Sequence, residues 1–139
     1  MKSFLSALFQ REGYTLDSLG VIFCSDDQLL EINRQFLQHD DYTDIITFEL
    51  TDRKDAPEKG KKLPVTGEIY ISIDRILENA NKFAIPKQVE LYRVLFHGCL
   101  HLCGYGDKIP AEKRRMTEKE DDYLTLYNQS VPRGTIHVE

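Results

Sequence analysis

Apolar side chains in the first half of the chain follow a helix, strand, helix, strand order. Near the N-terminus they lie on one face at helical spacing and predict an amphipathic helix over residues 3–12 that ends at Gly13. Residues 19–24 and 44–50 are rich in β-branched and aromatic side chains, which predicts two buried strands. Between them, apolar residues at helical spacing follow polar N-cap candidates and predict a helix over about 27–37.

The second half of the chain carries one more strand and three helices. Alternating polar and apolar residues predict a strand over 66–72. Helices are predicted over about 73–84, 86–103 and 110–128, and a proline suits the first position of each of the last two. Gly104 suits the left-handed backbone that commonly ends a helix.

The order of these elements predicts an α+β fold, a small mixed β-sheet packed against several helices. We expect one domain over residues 1–139, with an exposed loop at 51–64 and a frayed or loosely docked tail at 131–139. The helix between the first two strands allows them to pair in parallel. The loop between the second and third strands allows an antiparallel pair.

Composition is that of an ordinary globular protein. The 139 residues are 41% hydrophobic and 29% charged, and no stretch approaches the roughly 20 apolar residues that span a bilayer. The N-terminus lacks the long apolar region and cleavage site of a signal peptide. Three cysteines, an odd number without framework spacing, fit a reducing compartment, so we expect a cytoplasmic protein.

The charge of the chain argues against bulk electrostatic binding of nucleic acid. The net charge is −5, which leaves room only for a local basic groove. Residues 53–62 and 108–115 are basic runs, and residues 117–122 are acidic. Each run can simply be a solvated loop or helix face, or the two basic runs can lie near one cleft. Both interpretations stay open.

Residues 97–107, HGCLHLCGYGD, have the spacing of a metal site. His97 and His101 are four residues apart on a predicted helix, so both imidazoles lie on one face. Gly104 lets the chain reverse, and Asp107 can return as a third ligand. Three protein ligands with one open position are typical of a catalytic metal site. The alternative is a pair of half-buried histidines with ordinary partners. The two cysteines of the motif lie on the opposite face, which predicts core packing.

The same spacing matches a metzincin-like metalloprotease with aspartate as the third ligand. Such proteases need a glutamate directly after the first histidine as general base. Here that position is Gly98, which has no carboxylate. A metalloprotease therefore stays an alternative only if its base comes from elsewhere in the chain.

This stretch resembles the motif of the YbeY family of metal-dependent endoribonucleases, H-G-x-L-H-L-x-G-Y-D-H, whose three histidines bind zinc. The resemblance extends over residues 19–127. The matching positions are His97, Gly98, Leu100, His101, Leu102, Gly104 and Tyr105 in the motif, and Asn33, residues 43–48, residues 67–69 and Met116 elsewhere.

The resemblance implies metal-dependent cleavage of single-stranded RNA. It makes one zinc ion the expected cofactor, held by His97, His101 and Asp107. Ribosomal RNA is the expected substrate, with maturation of the 3′ end of the small-subunit RNA as the role. The ribosomal small subunit or its assembly factors are the expected partners. A non-catalytic ribosome-associated factor that keeps the metal for stability is a further alternative.

The third ligand departs from the family pattern, because Asp107 replaces a histidine. A carboxylate oxygen is a competent zinc ligand. It lowers the charge of the site by one, which makes a bound water less acidic and widens metal choice toward manganese, nickel or iron. Asp107 can also reach the metal through a water molecule.

A second departure is Leu37, where the family places an arginine facing the metal cleft. Arginine clamps phosphate in a bidentate way, and leucine cannot. Arg34 or His39 is the candidate substitute, although Arg34 is equally read as a solvated helix residue. By the resemblance, Thr43 and Asp44 line the cleft. Asp44 is a candidate base or a residue that orients a ligand, and its alternative role is capping of an element.

Overall fold

The computed structural model describes residues 1–51 and 64–130. The predicted basic run at 53–62, most of the predicted loop and the C-terminal tail lie outside the described residues. Within them the chain forms five helices and three strands, which confirms the α+β prediction. The elements are α1 (Lys2–Arg11), β1 (Leu16–Cys24), α2 (Asp26–Leu37), β2 (Ile45–Glu49), β3 (Val65–Ser72), α3 (Ile73–Lys82), α4 (Lys87–Leu102) and α5 (Pro110–Ser130).

The sheet is mixed, and β3 is its central strand, in the order β1-β3-β2. β3 runs antiparallel to β2, as predicted, and parallel to β1. The parallel pair that the sequence allowed for the first two strands does not form, because β3 lies between them. A connection of suitable length permits a pair but does not set the strand order. Val65, Ile69 and Ile71 of β3 are fully buried, as expected for the apolar strand at the centre of the sheet.

Helix α4 crosses one face of this sheet so closely that one position has no room for a side chain. A Cβ atom at Gly98 would lie 2.8 Å from Ile45 Cδ1, 3.0 Å from Ile69 Cδ1 and 3.1 Å from Thr47 Cγ2. Carbon atoms in contact are normally about 3.5–4.0 Å apart. Packing therefore favours glycine here, because any larger residue, including the glutamate of a protease motif, would have to displace three packed side chains.

The core lies between α4, the sheet and the flanking helices α1 and α5. The predicted apolar face of α1 is confirmed, since Leu5, Leu8 and Phe9 are buried. Cys99 and Cys103 are buried too, which confirms core packing on the face of α4 opposite the histidines. None of the helices in residues 1–51 and 64–130 is long and apolar enough to cross a membrane.

Helix α2 packs on the other face of the sheet. The Ser25 hydroxyl accepts a hydrogen bond from the backbone N–H of Gln28, and the side-chain oxygen of Gln28 accepts one from the backbone N–H of Ser25. This capping box starts the helix. Asn33 is buried, whereas Phe36 and Leu37 are 66% and 42% exposed. The last turn of α2 therefore presents apolar side chains to solvent, and the ring of Phe36 packs edge-on against Phe48 of β2.

We expect Gly98→Ala to lower the free energy of unfolding by about 1–3 kcal/mol, because the added methyl group must displace packed side chains. Urea unfolding followed by circular dichroism measures this. Gly20→Ala is the matched control, since a Cβ atom there meets its nearest neighbour, Glu68 Cγ, at 3.5 Å, an ordinary contact. Equal stability of the two variants would contradict the packing constraint.

Candidate metal centre

Three side chains from the end of α4 and the following loop converge on one point. The Nε2 atoms of His97 and His101 are 2.9 Å apart, and Asp107 Oδ2 lies 3.3 Å from each. Ligand atoms at about 2.0–2.1 Å from a tetrahedral ion are about 3.3 Å from one another. The structure thus brings the three predicted ligands together at spacings that fit one metal ion.

The outer ring nitrogens of both histidines are held by acceptors. His97 Nδ1 lies 2.6 Å from Glu120 Oε2, and His101 Nδ1 lies 2.8 Å from the carbonyl oxygen of Tyr105. A carbonyl oxygen and a carboxylate accept hydrogen bonds, so we assign the ring proton of each histidine to Nδ1. Both Nε2 lone pairs then point inward, the arrangement that metal-ligating histidines usually show.

The centre consequently gathers acceptor atoms that only a cation can satisfy together. Burial lowers the pKa of His97, but the hydrogen bond and charge of Glu120, with the charges of Asp107 and Asp44, outweigh it and raise the pKa overall. The same negative surroundings that favour a proton on His97 favour a metal ion between the ligands. The donor set fits a divalent transition metal.

The loop that carries Asp107 is fixed at both ends. Gly104 has a φ of +97°, as predicted for a residue that ends a helix, and its N–H donates to the carbonyl oxygen of His101 at 3.0 Å. At the other end, Glu112 Oε1 accepts from the backbone N–H groups of Lys108 at 3.1 Å and Ile109 at 3.3 Å. Asp107 therefore projects from a short segment with little freedom to move.

Glu12, at the end of α1, ties this loop to the rest of the domain. Its carboxylate accepts hydrogen bonds from the hydroxyls of Tyr105, at 2.6 Å, and Tyr123, and pairs with Lys119 at 3.3 Å. Burial raises the pKa of Glu12, but these three hydrogen bonds and the charge of Lys119 lower it below its ordinary value. Since the carbonyl oxygen of Tyr105 orients His101, Glu12 supports the metal centre from a distance.

An open cleft of about 460 Å³ leads to the metal centre. Thr43 and Asp44 line it, as the resemblance implied, and so do Leu37 and His39. Asp44 is half-buried, and burial raises the pKa of its carboxyl, an effect that the charge of His97 only partly offsets. A carboxylate in such surroundings is a better proton acceptor than an exposed one.

The structure does not bring Arg34 into this cleft. Its side chain is half-exposed on α2, with Nε 2.5 Å from Asp40 Oδ1 and Nη1 3.9 Å from Glu31 Oε2. These neighbours hold the guanidinium outside the group of residues that line the cleft. Arg34 therefore does not supply the phosphate-binding guanidinium that is absent at Leu37.

Glu120 is the residue of the centre that sequence reasoning missed. It belongs to α5, where Met116, Glu120, Tyr123 and Tyr127 are buried on one helical face. Arg93 donates to Glu120 Oε1 at 3.2 Å, so the carboxylate bridges a cation and His97. The sequence signal for this role is that Glu120 lies on an otherwise apolar face of α5. Buried charges are normally paired, so such a glutamate is expected to have a partner in the core.

We expect Glu120→Gln to weaken binding of a divalent transition metal, with Zn²⁺ as the test ion, by about 10–100-fold, because the partner that orients His97 loses its charge. Competition with a chromophoric chelator measures the affinity. Glu118→Gln is the control, since Glu118 is an exposed residue on the same helix. If both variants bound zinc as the wild type does, Glu120 would have no role in orienting the ligand.

We also expect Glu12→Gln to destabilise the fold at neutral pH by about 1–2 kcal/mol. Because the pKa of Glu12 is lowered in the folded state, its stabilisation is present above the ordinary value of 4.5 and is lost as the pH falls through the folded-state value. Urea unfolding at pH 7 and at acid pH should show the difference shrinking. Glu31→Gln, at an exposed position on α2, should change stability little at either pH.

Comparison with known proteins places the chain in one family. The sequence profile described as Endoribonuclease YbeY matches residues 1–128. Endoribonuclease YbeY of Cytophaga hutchinsonii is 46% identical over 126 residues, which cover 91% of this chain and 82% of the relative. Endoribonuclease YbeY of Bacteroides thetaiotaomicron is 46% identical over 114 residues, which cover 82% and 77%.

A solved structure has the same fold. The solution structure of TM1509 from Thermotoga maritima aligns with a TM-score of 0.59 at 27% identity, covering 97% of this chain and 89% of that one. The profile match, the curated relatives and the shared fold agree with the motif that surrounds His97 and His101. The chain belongs to the endoribonuclease YbeY family.

Proposed function

We propose that this protein hydrolyses single-stranded ribosomal RNA at one divalent metal ion held by His97, His101 and Asp107. Family membership identifies the chain as an endoribonuclease, a hydrolase that acts on RNA. The observation that carries the metal-dependent part is the convergence of three acceptor atoms at the end of an open cleft. By the family resemblance, the role is maturation of the small-subunit RNA 3′ end, with the small subunit or its assembly factors as partners.

Zinc is the proposed metal, and manganese, nickel or iron are the alternatives. Two imidazoles and one carboxylate suit zinc, and the same donor set occurs in iron sites. The side chain of Asp107 is 39% exposed, so it could bind a metal directly or through a water molecule. We propose that it binds directly. The three cysteines form no disulfide bond, which fits the proposed cytoplasmic location. A single domain over residues 1–139 remains our prediction.

The chain's own residues supply the orientation and the proton transfer. A divalent ion in this position would polarise a phosphoryl oxygen or lower the pKa of a bound water. Glu120 and the Tyr105 carbonyl keep the Nε2 atoms of both histidines turned toward the centre. Asp44 is the proposed base. It takes the proton of the attacking water, the bond from phosphorus to the leaving oxygen breaks, and that oxygen is protonated by solvent.

Binding of the RNA backbone is proposed to involve the basic start of α5. Among the described residues that line the cleft there is no lysine or arginine. Residues 108–115 directly follow the loop of Asp107, and Lys108, Lys113, Arg114 and Arg115 are exposed there. These side chains are positioned to meet phosphates that extend beyond the cleft.

Two other functions compete with this proposal. A metalloprotease is disfavoured because Gly98, at the position of its general base, has no carboxylate. A non-catalytic ribosome-associated factor is the second candidate, and Leu37 favours it, because the cleft lacks the arginine that would clamp a phosphate. Activity assays on the purified protein separate the three functions.

We expect the metal-loaded protein to cleave an unstructured RNA oligonucleotide and to lose this activity after chelation. His97→Ala and His101→Ala should abolish both metal binding, measured by elemental analysis, and cleavage. Asp44→Asn should keep the metal but lower kcat by about 10²–10⁴-fold, because the proposed proton acceptor is gone. Asp122→Asn, at an exposed position on α5, is the control.

Cleavage that survives both histidine substitutions would overturn the metal-dependent mechanism. Hydrolysis of casein, with no cleavage of RNA, would favour the protease. Metal binding without either activity would favour the non-catalytic factor. Full metal occupancy in Asp107→Ala would remove the aspartate from the set of required ligands.

A further inference from the structure

Tyr42 is an aromatic side chain in the wall of the metal cleft that the proposed chemistry does not use. It lines the same cleft as His97, His101 and Asp107, and half of its surface, 50%, is exposed. A half-exposed aromatic ring beside a reaction centre offers a flat apolar face on which a ligand can stack.

The ring of Tyr42 is held in place by contacts outside the cleft. Its hydroxyl donates to Asp27 Oδ1 at 3.2 Å, and the guanidinium carbon of Arg75 lies over the ring at 5.3 Å from its centroid. Arg75 is in turn fixed by Asp26, whose two carboxylate oxygens both lie 3.1 Å from Arg75 Nε. With one face of the ring covered by a fixed cation, the other face is available to a ligand.

The charges of the cleft indicate what kind of ligand the ring can serve. Asp41, Asp44 and Asp107 line the cleft, and the described lining residues include no lysine or arginine. Apart from a metal ion and His39, the walls therefore offer RNA phosphates little attraction. Affinity close to the reaction centre must come from a contact that does not depend on charge, and stacking of a base on an aromatic ring is such a contact.

We propose that Tyr42 is a stacking platform for one base of single-stranded RNA next to the scissile phosphate. The inference rests on the proposed function and adds to it a physical origin for single-strand preference. A base within a duplex already stacks on its neighbours and cannot cover the ring, whereas an unpaired base can. The platform selects unpaired bases with little regard to their identity, since every base has a π-face.

The fixed position of the ring lowers the entropy lost when the base binds. The other exposed aromatic side chains in residues 1–51 and 64–130 do not line the metal cleft. Phe83 is 60% exposed and also has a cation near its ring, Lys82 Nζ at 5.5 Å from the centroid, but it does not line the metal cleft. Phe83 is therefore a matched control for loss of an exposed ring.

Steady-state cleavage of a fluorescently labelled, unstructured RNA tests the proposal in the zinc-loaded protein. Tyr42→Leu should raise KM about tenfold with a smaller effect on kcat, and should reduce the preference for single-stranded over duplex RNA. Tyr42→Phe keeps the ring and its contact with Arg75 but loses the hydrogen bond to Asp27, so its KM should rise much less than that of Tyr42→Leu. Phe83→Leu should retain the wild-type KM. A wild-type KM in Tyr42→Leu, or an equal rise in KM in Tyr42→Phe, would overturn the platform.

Direct binding separates this inference from the proposed chemistry. An RNA with a 2-aminopurine base is titrated with chelator-treated protein, and stacking quenches its fluorescence. Quenching by the wild type and Tyr42→Phe, and its loss in Tyr42→Leu, would support the platform even if the loaded protein cleaved no RNA. Equal quenching by all three proteins would overturn the platform even if the loaded protein cleaved RNA.

Discussion

The close approach of α4 to the sheet is the constraint on which the metal centre depends. At Gly98 the helix backbone lies against the side chains of Ile45, Thr47 and Ile69. His97 is the residue directly before Gly98 in the helix, so this contact helps to set the position of its imidazole. The glycine that removes the base of a metalloprotease is therefore the residue that lets α4 seat its histidines beside the cleft.

The metal centre next to this contact consists of three acceptor atoms, from His97, His101 and Asp107, that neighbouring residues hold close together. Glu120 and the Tyr105 carbonyl fix the tautomers of His97 and His101. Acceptor atoms about 3 Å apart repel one another until a cation lies between them. Binding of a metal should therefore stabilise the fold as well as create reactivity, because unfolded chains lack the preformed site.

Features set by neighbouring residues could be predicted from the sequence, and features set by tertiary packing could not. Helical spacing alone puts His97 and His101 on one face, and the conformational freedom of Gly104 marks the turn after them. Glu120 lies 23 residues beyond His97 and reaches it only because α5 packs on α4. The strand order was missed for the same reason, since connection length does not choose which strand becomes central. Arg34 does not line the cleft, because ion pairs with Glu31 and Asp40 hold its guanidinium, and this depends on the folded structure.

The hydrogen bonds of Glu12 connect two events that are far apart in the chain. Glu12 lies at the end of the N-terminal helix, and its carboxylate accepts a hydrogen bond from the hydroxyl of Tyr105. The carbonyl oxygen of the same Tyr105 orients His101. Docking of α1 and binding of a metal ion therefore both require the same conformation of the loop that contains Tyr105. By thermodynamic reciprocity, a metal ion that orders the loop holds the N-terminal helix more firmly, and a detached helix releases the metal more readily.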